Sequence, residues 1–307
     1  YGLSYTSEQI VSEYLYYFPN GKQAKIFDRN LNEVSFGDKF KKDFETILNF
    51  MKPNKLFLSV SANYSAVKEA ELVFLFFKED LIFYPLPLEI SNWLEYSIER
   101  FTKEPELKKI FIDFMKSVDT PIQSIDTKFE KTQMTPEFIP DNIPDEFKPF
   151  FAQAKEVTRS EANINYGLFS VNLNEESKGI QKLFEVFGPI IDIILKDKVL
   201  IWDEMETSLH PRIVKEILRL IMYGKRDSKA QLIFSTHDTN LLDLNTFRRD
   251  QIWFTELNKD RETDIYSLAE LKNVRKDENI SKGYMNGKYG AIPFIHNPLV
   301  FPVEEGC

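Results

Sequence analysis

Residues 199–204 read VLIWDE and residues 231–238 read QLIFSTHD. Each is a short, unbroken apolar run that ends abruptly in polar groups. A strand with one face in water alternates apolar and polar residues, whereas an unbroken run suits a strand covered on both faces, as in a parallel sheet. Between the two runs, residues 211–223 place apolar side chains at three- and four-residue spacing behind Pro211, which predicts a helix. Strand, helix, strand is a crossover unit, so this part of the chain is expected to build a parallel sheet flanked by helices. In such sheets ligands sit beyond the carboxyl ends of the strands. Asp203 and Glu204 hold one such end, and Ser235, Thr236 and His237 hold the next. The two ends are expected to face one crevice.

Two carboxylates and an imidazole in one crevice suit nucleotide hydrolysis. An Asp at the tip of an apolar strand can be the outer partner of a nucleotide-bound Mg²⁺. A Glu beside it can take a proton from a water attacking the γ-phosphate. A His on the neighbouring strand can hydrogen-bond that phosphate and that water. The same letters also occur without this chemistry. An Asp-Glu pair after an apolar strand is common by chance, and a lone strand-end His is often only a polar tip. Their joint occurrence, with a helix between, favours the catalytic reading. A metal-dependent nuclease using Asp203, Glu204 and Asp238 is a rival, because two-metal sites draw carboxylates from several strands.

Upstream, residues 8–36 read as a β-meander: Ile10 to Phe18, the turn signal Asn20-Gly21, Ala24 to Asp28, a second turn at Asn30 to Asn32, then Glu33 to Phe36. Segments 39–51, 63–79, 90–101 and 104–117 carry helical spacing, and Ile122 to Phe129 suits a strand. Pro136, Pro140, Pro144 and Pro149 predict loop structure. A short strand, Leu168 to Leu173, leads into the polar turn Glu175-Glu176-Ser177-Lys178-Gly179 and an amphipathic helix, Gln181 to Ile194. Ser177 can cap that helix, whose free N–H groups make an anion site, although an ordinary capped helix reads the same way. Gln251 to Leu257 and Thr263 to Leu268 flank Asn258-Lys259-Asp260 as a hairpin.

Taken in order, ESKGI, VLIWDE, TSLH and IFSTHD resemble the ABC-type ATPase head, in the branch that includes the SMC, OLD and RloA-like abortive-infection ATPases. The wording DExxTSLHP, then STHD, then RRDQIWFTE is most similar to the RloA-like group. The likeness runs over residues 170–270 and is loose elsewhere. It implies a fold and roles. The fold is α/β: an ABC-ATPase-like parallel sheet flanked by helices, with an antiparallel β subdomain and an inserted, mainly helical lobe. The expected divisions are 1–60, 61–165 and a C-terminal ATPase lobe, 166–307. Ser177 and Gly179 would be the signature pair that touches ATP held by a partner subunit. Asp203 would be the Mg²⁺ partner, Glu204 the catalytic base and His237 the switch histidine. Thr207, Ser208, Leu209 and His210 would form the loop that crosses a homodimer interface, with Ser208 beside the nucleotide. ATP and Mg²⁺ are the implied cofactors, and a nuclease or toxin-like effector the implied partner.

One element of that family pattern is missing. No G-x-x-x-x-G-K-S/T occurs in the sequence, and that loop wraps the β-phosphate and completes the Mg²⁺ shell. The chain opens at Tyr1, and the loop is expected upstream of it. Taken as they stand, the residues also suit a non-hydrolysing scaffold that holds its effector.

Composition sets the outer limits. A net charge of -9 argues against a surface coated for nucleic acid. Lys272, Arg275, Lys276, Lys282 and Lys288, with Tyr284 and Tyr289 among them, leave a local contact to nucleic acid or an acidic partner open beside the plainer reading of a solvated surface. Gly283, Gly287 and Gly290 are spaced like turns. Trp202 and Trp253 are expected in the core. His210 before Pro211 suits a capping or loop residue better than a metal ligand. Cys307 is the single cysteine, which excludes an internal disulfide and fits a reducing cytoplasm. The greasiest run, Leu72 to Phe77, is too short for a bilayer.

Overall fold

The computed structural model describes residues 1–65, 67–85, 93–133, 156–272, 274–275 and 278–293. The proline cluster at 136–149, Lys276 and Cys307 lie outside them. In chain order the elements are β1 (Gly2–Tyr5), β2 (Ile10–Tyr17), β3 (Ala24–Asn30), β4 (Glu33–Phe36), α1 (Lys41–Glu45), α2 (Phe57–Tyr64), α3 (Lys68–Leu75), β5 (Leu81–Tyr84), α4 (Trp93–Lys103), α5 (Pro105–Ser117), β6 (Ser124–Gln133), β7 (Glu156–Asn165) and β8 (Ser170–Asn172). They continue with α6 (Lys178–Leu195), β9 (Val199–Trp202), α7 (Pro211–Tyr223), β10 (Gln231–Phe234), β11 (Trp253–Leu257), β12 (Thr263–Ser267) and α8 (Ile280–Met285). The chain is therefore α/β, with a parallel strand pair, antiparallel sheets and several helices. It divides into two compact units: residues 1–90, 191–202 and 226–233 form the first, and residues 91–190, 203–225 and 234–307 the second.

The first unit holds the antiparallel sheet β1-β2-β3-β4 and the sheet β10-β9-β5. The meander follows the turn chemistry of its sequence. Asn20, Gly21 and Leu31 take positive φ values of 56°, 76° and 54°, which reverse the chain between β2, β3 and β4. Its inner face packs Phe27, Phe44 and Phe57, with Phe27 and Phe57 in edge contact at 4.8 Å. In the second sheet, β5 pairs β9 in parallel, Leu81 opposite Val199 and Tyr84 opposite Trp202. β9 is central, and its Leu200 and Trp202 are fully buried. β10 is an edge strand of this sheet, and its Ile233 is 57% exposed. The unbroken apolar run thus leaves one face of β9 buried and the other half-buried, whereas β10 has one exposed face.

The second unit packs α4, α5 and α6 around Phe101, Phe111, Phe184 and Phe187. Pro189 lies inside α6. It lacks an N–H, so the Glu185 carbonyl four residues earlier loses its helical donor. The buried Ser97 hydroxyl of α4 donates to that carbonyl at 2.8 Å. Gly188 makes the approach possible, since a Cβ there would stand 2.7 Å from Ser97 Oγ. β6, β7 and β8 form an antiparallel sheet in that order, and β11 and β12 form the hairpin foreseen from Asn258-Lys259-Asp260.

Several elements depart from the sequence pattern. The helix expected over 39–51 is only Lys41–Glu45 followed by a 3₁₀ turn at Leu48–Phe50. The helix expected over 63–79 is two segments, because α2 begins at Phe57 and the chain turns extended at Ser65. β5, which the sequence pattern did not suggest, follows a single π turn, Phe76–Asp80, that ends in Lys78-Glu79-Asp80. β7 pairs β6 along its length and yet carries few apolar residues. Trp202 is buried as expected, but Trp253 is 55% exposed because it sits on the outer face of the hairpin; its indole N–H donates to the Asp250 carbonyl at 3.1 Å.

Candidate active site

All the candidate site residues fall in the second unit. Trp202 and Met205, both fully buried, bracket the exposed Asp203 and Glu204 along the chain. Glu204 sits at a φ of +47° and Ser208 at +65°. Side chains other than Gly and Asn pay about 1–2 kcal/mol for that left-handed conformation. Such residues persist where surrounding contacts over-determine them, and they concentrate at functional sites. Here the contacts are close turns: Thr207 N–H donates to the Glu204 carbonyl at 3.0 Å and Leu209 N–H to the Glu206 carbonyl at 2.8 Å.

The loop after β10 lies against this turn. Ser235 is the hinge of the arrangement. Its hydroxyl donates to Asp203 Oδ1 and accepts the Glu204 N–H at 2.9 Å, while its carbonyl accepts the Met205 N–H at 3.2 Å. Two residues on, the His237 N–H donates to Glu206 Oε1 at 2.7 Å. The imidazole then stands with Nε2 3.9 Å from Glu204 Oε1, the two side chains being 88% and 59% exposed. Thr207 Oγ1 lies 3.4 Å from the other Glu204 oxygen. The two strand ends therefore do meet, and their acid and imidazole look into solvent side by side.

Ser177 caps α6 weakly, accepting the Ile180 N–H at 3.4 Å, and remains exposed. Gly179 is there for space: a Cβ at this position would stand 3.1 Å from the Ser208 carbonyl. The structure thus brings Gly179 to Ser208, Asp203 to Ser235 and Glu204 to His237. Tyr166 braces the same turn by donating to Glu176 at 2.7 Å, and burial pushes the Tyr166 phenol well above its usual range. His210 is the N-cap of α7, its Nδ1 accepting the Arg212 N–H at 3.2 Å, so the capping reading accounts for it. Glu206 is the residue that the sequence did not single out, and Ser235 was placed at its strand end without a role. A hydroxyl directly after a strand and a third acid two residues past Glu204 were the available signals.

A Mg²⁺ ion brought in by a triphosphate keeps several waters and needs only one or two protein carboxylates. The exposed Asp203 carboxylate, oriented by Ser235, fits that requirement. The nuclease alternative fits less well. Asp238 turns away into its own loop, where Oδ1 accepts both the main-chain and side-chain N–H of Asn240 at 2.9 and 2.7 Å. Among the described residues no group of three or more His, Cys, Asp or Glu is arranged to hold a metal.

In the basic tail Lys272, Arg275 and Lys282 are exposed, whereas Lys288 and the two tyrosines are tied into the structure. Lys288 pairs with Glu278, which also accepts from Tyr289 at 2.9 Å. The Lys288 ammonium holds the Glu278 carboxyl down to about 2, and burial pushes the Tyr289 phenol up to about 12. Tyr284 stacks on Phe254 at 5.6 Å. These tyrosines pack the core of this region and are not free to stack on bases.

Residues 84–243, just over half of the chain, match the family model described as "AAA domain, putative AbiEii toxin, Type IV TA system". The chain belongs to that family. The matched span contains the signature-like turn, Asp203, Glu204 and His237, so the family assignment and the site geometry concern the same residues. A comparison with curated proteins returned no match. No described helix is long and apolar enough to cross a membrane.

Proposed function

We propose that this chain is an ABC-type ATPase of the SMC, OLD and RloA-like branch, which couples ATP binding and hydrolysis in a head-to-tail homodimer to control of a nuclease or toxin-like effector in anti-phage defence. The observation that carries the reading is the meeting of Glu204 and His237, 3.9 Å apart, beside an Asp203 oriented through Ser235. The family description supports an ATPase in an abortive-infection setting.

In this reading a nucleotide-bound Mg²⁺ supplies charge neutralisation at the β- and γ-phosphates. Asp203 takes an outer place on it. Glu204 accepts the proton of the attacking water, and its exposed, strained position leaves both carboxylate oxygens free of strong partners. His237 donates to the γ-phosphate and reports its presence. Ser177 and the N–H groups at the start of α6 offer a partner subunit's phosphate an anion site. Gly179 and Ser208 keep that turn close to the loop that would cross the dimer interface.

The test is Glu204→Gln in the full-length protein. ATP turnover is expected to fall by about 10²–10⁴-fold, the range for loss of a general base, while ATP-dependent dimerisation persists. Unchanged turnover would reject the role. A second reading, a non-hydrolysing scaffold, rests on the lack of G-x-x-x-x-G-K-S/T within the sequence. It predicts effector binding with no turnover in either form.

A further inference from the structure

We infer that Glu206 is the positioning residue for His237, and that its carboxylate locks the imidazole-bearing loop to the loop that carries Glu204. The inference rests on the ATPase reading above and adds a residue to it. The His237 side chain is 88% exposed, so no packing fixes the imidazole. Its place is set by its main chain alone. Ser235 anchors the start of this loop. Past it, residues 236–238 make a local turn, with Asp238 N–H donating to Thr236 Oγ1 at 3.0 Å. The hydrogen bond that ties them to the loop after β9 is His237 N–H to Glu206 Oε1, at 2.7 Å.

The other half of the carboxylate strengthens the argument. Among the described residues, Glu206 Oε2 is shut away from water without a hydrogen-bond partner. Burying a carboxylate oxygen unpaired is unfavourable. A side chain that served packing or solubility would not hold it there. The arrangement suits a group that must present one acceptor at one fixed point. Asp238 Oδ2, on the other side of His237, is in the same condition. Glu206 is itself held, since its carbonyl accepts from Leu209 and the buried Met205 separates it from Glu204. A shift at His237 is therefore passed to the same short turn that bears the proposed base.

The experiment compares Glu206→Ala and Glu206→Gln with the wild type and with Glu204→Gln, in the full-length chain. It reads kcat and KM for ATP, and hydrogen exchange over residues 234–241. Gln keeps an oxygen that can accept the same N–H. Glu206→Ala is expected to lower kcat about tenfold or more with KM within about twofold, because a displaced group loses rate more than affinity. Glu206→Gln is expected to stay within about threefold of wild type on the same grounds. Exchange at the His237 amide should rise in the Ala variant and not in the Gln variant. If the Ala variant does not fold, Glu206→Asp takes its place, since its shorter side chain cannot reach. Should Glu204→Gln turn over ATP like wild type, the ATPase reading fails, and hydrogen exchange alone then decides whether Glu206 holds the loop. With Glu204→Gln inactive, a wild-type kcat for Glu206→Ala overturns the inference, as does a Gln variant impaired as badly as Ala. Unchanged exchange in the Ala variant overturns it too.

Discussion

Two acid–base pairs in this molecule have similar separations and opposite surroundings. In the first unit Glu13 and Arg29 lie 3.5 Å apart, with side chains 0% and 1% exposed. In the second unit Glu204 and His237 lie 3.9 Å apart, with side chains 59% and 88% exposed. The buried pair is saturated. Glu13 accepts from Phe57 N–H at 2.6 Å, Leu58 N–H at 2.8 Å and the Tyr1 hydroxyl at 3.0 Å. Arg29 donates to the carbonyls of Leu31 and Lys55, each at 2.6 Å, and of Pro53 at 3.1 Å. Together they staple the start of α2 to the meander. In the exposed pair Glu204 sits on strained backbone, and both side chains leave most of their hydrogen-bonding capacity open. A charge that holds a fold spends its capacity on the protein, whereas a charge that does chemistry must keep some for a ligand.

The comparison can be broken from either side. The largest effect on stability is expected for Glu13→Ala. It strands Arg29 in the interior and uncaps two N–H groups of α2, at a cost of about 3–5 kcal/mol, the range for removing one partner of a buried pair. Chemical denaturation measures it, and a loss under about 1 kcal/mol would show that the pair is not holding this unit together. The smaller effect has the opposite sign. Glu204→Gly relieves the left-handed φ of +47° and is expected to raise stability by up to about 1 kcal/mol while abolishing turnover. A clear destabilisation would mean that the Glu204 side chain supports the fold.

Much of the fold was legible from local signals. The meander was announced by Asn20-Gly21 and by the aromatic and β-branched run before it, and α7 by Pro211 and its apolar spacing. Three elements were hidden for physical reasons. β5, LIFY, is a four-residue apolar run behind Lys78-Glu79-Asp80 with no Gly or Pro, too short and too uniform to show a period of two. Among its described side chains β7 buries Ala162 and Ile164 and no others, and long-range pairing with β6 makes it a strand. α2 starts at Phe57 because Glu13, far back in the chain, accepts its first N–H groups. The site shows the same division. Asp203, Glu204 and His237 were legible as strand-tip residues. Ser235 was legible as a strand-tip residue but its role was not, and Glu206 was missed, because both act through hydrogen bonds between two loops; Trp253 misled because a hairpin has an outer face.

The central claim is that the two strand tips serve one reacting water. A double-mutant cycle on kcat, with Glu204→Gln, His237→Ala and the two combined, tests it most directly. Residues acting as a unit lose activity only once, so the double variant is expected to turn over ATP about as slowly as Glu204→Gln alone. Losses that multiply, as for independent sites, would contradict the account.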